Sequence, residues 1–565
     1  MKHFSSCFGR LILAALLLAS LESQGQAPNW RWAVQSVNGF NTAAVVTATA
    51  VDAAGDIYVT GTIQGAVAFG STTLTTGAAN AFVAKLDAGG NWLWAVQPTS
   101  GLSNFGRSIA IGANGTVYVG GTFQNTVGFG TISLASRGAE DVFVARLSAT
   151  TGQWLGAARA GGPGIDSCNG LVVLGTDVYV TGAYTTAVAF DNLTTLSSIP
   201  DNGAGFVAKL NSDNRWLWAT NASGMSAAGL TVSATTGGLY LGGTFSASRP
   251  IAFGPVTLSN ALGSIVVAHM SPATGQFLGA AQAGGNVSDE CQGLATDSQG
   301  RVLVTGNFGR SGFGSGTTAS FDAITLGAPA TTSANQHGDA YVACLDPATL
   351  AWQWATAIRC SDEIGAIGLA AGRNGEACVV GYFNGTLGPQ ALTSTGQGSS
   401  FLVRLNATGQ ILLADRANGT GRTIGYSVAV DNAGEVYLAG GFERTATFGT
   451  ITLTSAATNN PNPNTIFIAK TGLLLGSRAT ATAVSLHLFP NPAQGTATLL
   501  VPAGFPASGR SIILYNGLGQ VVRQPTMPVT NPTRVELDLT GLASGSYSVQ
   551  LRAGQEAVIK RLVIE

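Results

Sequence analysis

Charge is scarce in this chain. Asp, Glu, Lys and Arg together make up 10% of its 565 residues, against about 25% in typical soluble domains. The 27 basic and 28 acidic residues leave a formal net charge of -1. No basic face is available to neutralise phosphates, so a nucleic-acid partner is not expected. Histidine is rarer still, with four residues. His3 and His487 lie at the two ends of the chain, His269 takes the place of a lysine in sister repeats, and His337 sits alone in a long loop. Neither a histidine triad nor a zinc site is supported by that distribution. Cys7 lies in the leader, and Cys168, Cys291, Cys344, Cys360 and Cys378 are irregularly spaced without a CxxC pair. A disulfide framework and a cysteine metal site are therefore both unsupported. No convincing GxSxG elbow, P-loop or GxGxxG turn is present, so no catalytic residue and no cofactor is expected. One apolar run, Leu11–Ser20, stands out, and about ten residues are too few to span a bilayer.

Glycine is abundant, with 77 residues, about twice the usual share. With Thr, Ala and Val common and Lys and Glu rare, helix formers are missing while strand and turn formers abound. The class is all-β. Lys2 and Arg10 before Leu11–Ser20 read as the start of a secretory signal peptide over 1–25, cut between Gly25 and Gln26.

Internal repeats then organise the chain. IYVTG (Ile57–Gly61) returns as VYVGG (Val117), VYVTG (Val178), LYLGG (Leu239), VLVTG (Val302), CVVGY (Cys378) and VYLAG (Val436). Each is followed by a VAKL-like phrase, as at Ala81, Val142, Gly205, Ile265, Ala340, Ser400 and Ile466. Most units close on a WLWA-like phrase, at Trp92, Trp154, Trp216, Phe277 and Trp352, with a weak copy at Ile411. Four strand-like segments per unit, repeated seven times, predict a seven-bladed β-propeller of four-stranded blades over 26–475. The seventh unit lacks its closing phrase, and Trp30-Arg31-Trp32-Ala33 supplies a spare copy. Residues 29–36 are accordingly expected to complete the last blade, which removes a free sheet edge. The repeated aromatics read as packing between blades. The units resemble a bacterial propeller repeat family of the form D-x-x-G-N-x-Y-V-T-G, best matched by Asp52–Gly61. That resemblance implies a fold but no activity.

Beyond a small-residue linker at 476–485 the pattern changes, and short alternating strands over 486–565 predict a small Ig-like β-sandwich. Three ordered motifs stand there: Pro490-Asn491-Pro492, then Asn516-Gly517-Leu518-Gly519-Gln520, then Leu542, Gly545, Tyr547, Val549 and Lys560. Together they resemble the type A C-terminal sorting domain of type IX secretion cargo. The resemblance implies export across the outer membrane of a Gram-negative bacterium by the type IX machinery and removal of the domain by a sortase-like peptidase. It also implies attachment to surface lipopolysaccharide or release.

Acidic residues before the first strands of three units are the best ligand-facing candidates: Asp166, then Asp289 and Glu290, then Asp362 and Glu363. They fit either turn and solvent-facing work or a ring of acidic loops on one face, suited to a cation or to sugar hydroxyls. The fifth unit adds about a dozen residues between Gly306 and Ala340, including Phe313, Phe321 and His337, and this insertion is a second candidate. The functional expectation is a secreted or surface-attached binding protein, an adhesin or a binder of an extracellular glycan or protein. A polysaccharide-active glycosidase or lyase on the same scaffold is the alternative.

Overall fold

Alternating apolar residues bounded by Gly, Asn and Asp turns make strands almost everywhere. The computed structural model describes residues 30–565 except 40–41, 192, 194, 199–203, 234, 286–287, 311–317, 328–337, 389, 457–464, 473–485, 502–509, 517–520, 526–533 and 554–555. The leader with Gly25 and Gln26, the linker 476–485, and Phe313, His337, Gly517 and Gly519 lie outside the described residues. Among the described residues every element is a strand apart from one 3-10 turn at Arg373–Gly375. The chain divides into two compact units, Met1–Leu474 and Leu475–Glu565.

Among the described residues the first unit contains seven antiparallel sheets with four main strands each, two of them extended by further strands. The first sheet runs Ala43–Val51, Ile57–Phe69, Thr72–Leu86 and Trp92–Val96. The next five repeat that order, with first strands Asn104–Ile111, Asp166–Leu174, Met225–Val232, Ser288–Thr296 and Ile364–Ala371. The seventh begins with Thr423–Val430, and its outer strand is Trp30–Gln35, paired antiparallel with Thr465–Thr471. Each first strand packs against the first strand of the next sheet, and the seventh against the first, so the sheets form a closed β-propeller ring. First and second strands are joined by tight turns. In one of them the Asp52 carboxylate accepts the N–H groups of Ala54 and Asp56 at 2.9 and 3.0 Å and the Tyr58 hydroxyl at 2.9 Å.

Every unit also carries a short hairpin between its second and third strands, which was not anticipated from the repeat phrases. In the first and fourth units it continues the second–third ladder, as at Phe69↔Thr72 and Phe253↔Val256. Its aromatic packs edge-on against the first ring of the outer strand: Phe69 on Trp92, Phe129 on Trp154, Phe190 on Trp216 and Phe321 on Trp352, with centroids 4.9 to 5.1 Å apart. In the sixth unit Leu387 and Ile411 stand in these places. The hairpin also pairs with the chain leaving the previous sheet, as Thr126–Phe129 does with Thr99–Ser100 and Phe321's strand does with Gly284–Gly285. Val37–Asn38 makes the same connection to Val67 and Ala68 in the first unit, so the N-terminal segment both completes the seventh sheet and ties it to the first.

The second unit has a buried core that includes Leu499, Leu514, Val549, Leu551 and Leu562. One ladder joins Arg534–Asp538, Thr496–Leu500 and the start of His487–Gln494. The other joins Val521–Arg523, Arg510–Tyr515, Gly545–Ala553 and Glu556–Ile564, and the end of His487–Gln494 reaches it through Ala493↔Ile564. Pro490-Asn491-Pro492 spans the crossing. Asn491 there donates from its side chain to the Arg561 carbonyl and accepts from the Val563 N–H, both at 2.8 Å. Tyr547 is buried with its hydroxyl donating to the Ala543 carbonyl at 2.7 Å, and Lys560 is exposed opposite Val549.

Candidate functional site

The first strands line the axis of the ring, and all seven are interrupted by a β-bulge at the same point. The extra residues are Thr47, Arg107, Asn169, Ala228, Gln292, Ile367 and Tyr426. The residue before each bulge faces a glycine of the second strand, which closes the IYVTG-like phrase in six sheets and stands one residue before its end in CVVGY: Gly61, Gly121, Gly182, Gly243, Gly306, Gly381 and Gly440. The bulge explains that glycine. It presses a first-strand carbonyl onto the glycine Cα, so a Cβ would stand 1.9 Å from the Val45 oxygen at Gly61 and 2.0 Å from the Glu290 oxygen at Gly306. The residue after the bulge is small in every sheet (Ala48, Ser108, Gly170, Gly229, Gly293, Gly368, Ser427), and beside Gly170, Gly293 and Gly368 the next first strand passes close by. A Cβ on Gly170 would lie 3.1 Å from the Gly229 Cα.

The skeleton is thus repeated while the bulged side chain is not. Two of these side chains bond the neighbouring sheet: Thr47 donates to the Gly106 carbonyl and Asn169 to the Ala227 carbonyl, each at 2.8 Å. Arg107 is exposed, with its guanidinium 5.5 Å from the Phe105 ring centre. Across sheets three to five the ring opens into a cleft of about 460 Å³ lined by Asn169, Ser226, Ala228, Thr244, Glu290 and Gln292. In that cleft Gln292 donates to the Glu290 carboxylate at 3.1 Å, and Thr244 accepts the Cys291 N–H at 3.1 Å. Amides, hydroxyls and one carboxylate converge there, all able to pair with a polar, hydroxyl-bearing ligand. Across sheets six, seven and one the corresponding bulges are Ile367, Tyr426 and Thr47, a more apolar arc.

The structure separates the five acids read from the sequence. Glu290 lines the cleft. Asp289 does not face solvent: it is fully buried, and its two oxygens accept the N–H groups of Gly285 and Gly309 at 2.7 and 3.0 Å, pinning the ends of the two strands on either side. Burial pushes its carboxyl up to about 6. Asp166 is also fully buried, accepting the Gly162 N–H at 2.6 Å, and burial, with Asp141 alongside, pushes it up to about 7. Asp166 and Asp289 both sit three residues before a bulge, but in the sixth sheet that place belongs to Ile364. Asp362 and Glu363 are displaced from that register and make a different group. Glu363 accepts the Tyr382 hydroxyl at 2.9 Å, Asp362 accepts the Asn384 amide at 3.1 Å, and Arg422 lies 5.1 Å from the Tyr382 ring centre. In the fifth-unit insertion, Phe321 is the buried hairpin aromatic common to the repeats rather than a loop residue free to bind. The ring of bulges was missed in the sequence, although aligning the first strands shows a variable residue between small neighbours, as in GRS, CNG, CQG and GYS.

Residues 487–565 match the secretion system C-terminal sorting domain family. Such a domain implies interaction with the type IX secretion machinery and a secreted or outer-membrane surface location. No curated protein matches the chain. Among solved structures, hydrazine synthase of Kuenenia stuttgartiensis is 10% identical with a TM-score of 0.41, over 73% of this chain and 96% of that one. The C-terminal WD40 domain of Sif2 is 7% identical with a TM-score of 0.40, over 80% and 100%. The Dos1 propeller is 10% identical with a TM-score of 0.35, over 78% and 94%. Similarity at this level says nothing about activity.

Proposed function

We propose that the chain is a secreted or surface-attached binding protein, an adhesin or glycan binder, that holds its ligand at the ring of bulged residues. The seven sheets are read as seven blades of one propeller, built of repeats of the D-x-x-G-N-x-Y-V-T-G type. The terminal unit is read as an Ig-like sorting domain that a sortase-like peptidase removes, leaving the chain on lipopolysaccharide or free. The observation that carries the binding role is the cleft across sheets three to five, where Asn169, Ser226, Glu290 and Gln292 converge on one space. These groups can donate to and accept from sugar hydroxyls without a net positive charge. The role as a binder rather than an enzyme is part of the same proposal. The test is incubation of the purified chain with a panel of soluble polysaccharides, reading retention and product release together. Retention of a glycan without new reducing ends supports the proposal. Product release assigns a polysaccharide-active enzyme, and no retention on any glycan rejects the glycan-binding role.

A further inference from the structure

Away from the cleft, the second and third sheets bring two carboxylates together below the surface. Glu140 and Ile165 form a parallel bridge, so the next residues, Asp141 and Asp166, occupy neighbouring positions where the two chains run side by side. The Asp166 N–H donates to the Glu140 carbonyl at 2.8 Å and fixes this alignment. Both aspartates are fully buried. One oxygen of each is bonded by backbone, Asp141 to the Arg137 N–H at 2.9 Å and Asp166 to the Gly162 N–H at 2.6 Å. The other oxygen of each is buried with no hydrogen-bond partner, and so is the hydroxyl of Tyr184. Tyr184 is the cross-strand partner of Asp166 and therefore stands on the same face of the sheet. Two guanidinium groups lie near Asp141 and act to lower its pKa, but neither bonds its carboxylate: Arg137 reaches Asp191 and the Ala189 carbonyl, and Arg159 donates to the Ala135 carbonyl. Two adjacent buried carboxylates with bare oxygens are costly unless something positive lies between them.

We infer that Asp141 and Asp166 hold a hard divalent cation, Ca²⁺ by its preference for oxygen, with Tyr184 oxygen and backbone carbonyls completing the shell. The ion clamps the loop 137–141 of the second sheet to the loop 161–166 of the third. It places a positive charge between the two bare carboxylate oxygens.

The experiment is thermal unfolding and ⁴⁵Ca equilibrium dialysis of the purified full chain, in EDTA and in millimolar CaCl₂. Wild type should retain one ion and melt higher with Ca²⁺. Asp166→Asn and Asp141→Asn should each weaken Ca²⁺ binding roughly tenfold or more. Asp289→Asn should keep the Ca²⁺ response, because both Asp289 oxygens are satisfied by backbone. If one aspartate variant does not fold, the other and the wild-type dialysis decide. Absence of binding by wild type, or retained binding in both Asp141→Asn and Asp166→Asn, overturns the site. An Asp166→Asn chain that melts above wild type in millimolar CaCl₂ assigns a shared proton instead.

Discussion

The glycine within each second strand, opposite the bulge, shows how a single atom shapes this molecule. At Gly306 an added methyl would meet the Glu290 carbonyl at 2.0 Å, and backbone at that point cannot step aside without breaking the bulge. Gly306→Ala should therefore lose about 1–3 kcal/mol in chemical denaturation. Gly101→Ala, with open space around its Cα, should stay within about 0.5 kcal/mol of wild type. Equal stabilities would mean that the bulge does not dictate the glycine. Acidity acts at the same scale. Burial raises Asp166 to about 7 and Asp289 and Asp415 to about 6. The folded chain therefore holds protons that the unfolded chain has released, and the stability these groups supply is lost as pH rises through 6 to 7. In metal-free buffer the melting temperature should be higher at pH 5 than at pH 8, and a higher value at pH 8 would contradict this.

Among the elements, the hairpin and the outer strand depend on each other through edge-on aromatic pairs. Trp352→Ala should cost about 3–5 kcal/mol, because it empties the space beside Phe321 and removes an indole that donates to the Gln282 carbonyl of the preceding sheet at 3.3 Å. The equivalent cut at Ile411, half-buried beside Leu387, should cost less. The four strand phrases per repeat were legible because each carries a period-2 pattern between turn residues. The hairpin was not, since AFGSTTL and its relatives are short, rich in Gly and Thr, and resemble ordinary loop until the Phe is set against a Trp some twenty residues away. WRWA at Trp30 was legible as a copy of WLWA, and the structure has that segment paired with Thr465–Thr471. The site was barely legible. Acid residues draw the eye in a chain so poor in charge, yet Asp166 and Asp289 are buried and bond backbone, while the bulge residues share no chemical type. Their common feature is a backbone register, which shows in the sequence only as a variable residue between small neighbours once the first strands are aligned.

For the whole molecule, the chain's course and its export are coupled to its two ends. Removal of residues 30–38 should lower the melting temperature by far more than loss of a tail, because it strips the seventh sheet of its outer strand and the first of its tie. An unchanged melting temperature would show that the ring closes without them. A chain ending at Thr471 lacks the sorting domain at 487–565 and should accumulate in the periplasm of the native bacterium, with surface display of that chain the contrary result. The proposed ligand site lies where seven repeated bulges present seven different side chains. It is tested most directly by the affinity of the purified chain and of its Glu290→Ala/Gln292→Ala variant for the glycan retained from the panel, with both melting curves recorded. A loss of affinity of at least about tenfold at unchanged melting temperature is expected. Equal affinity in the two proteins would contradict it.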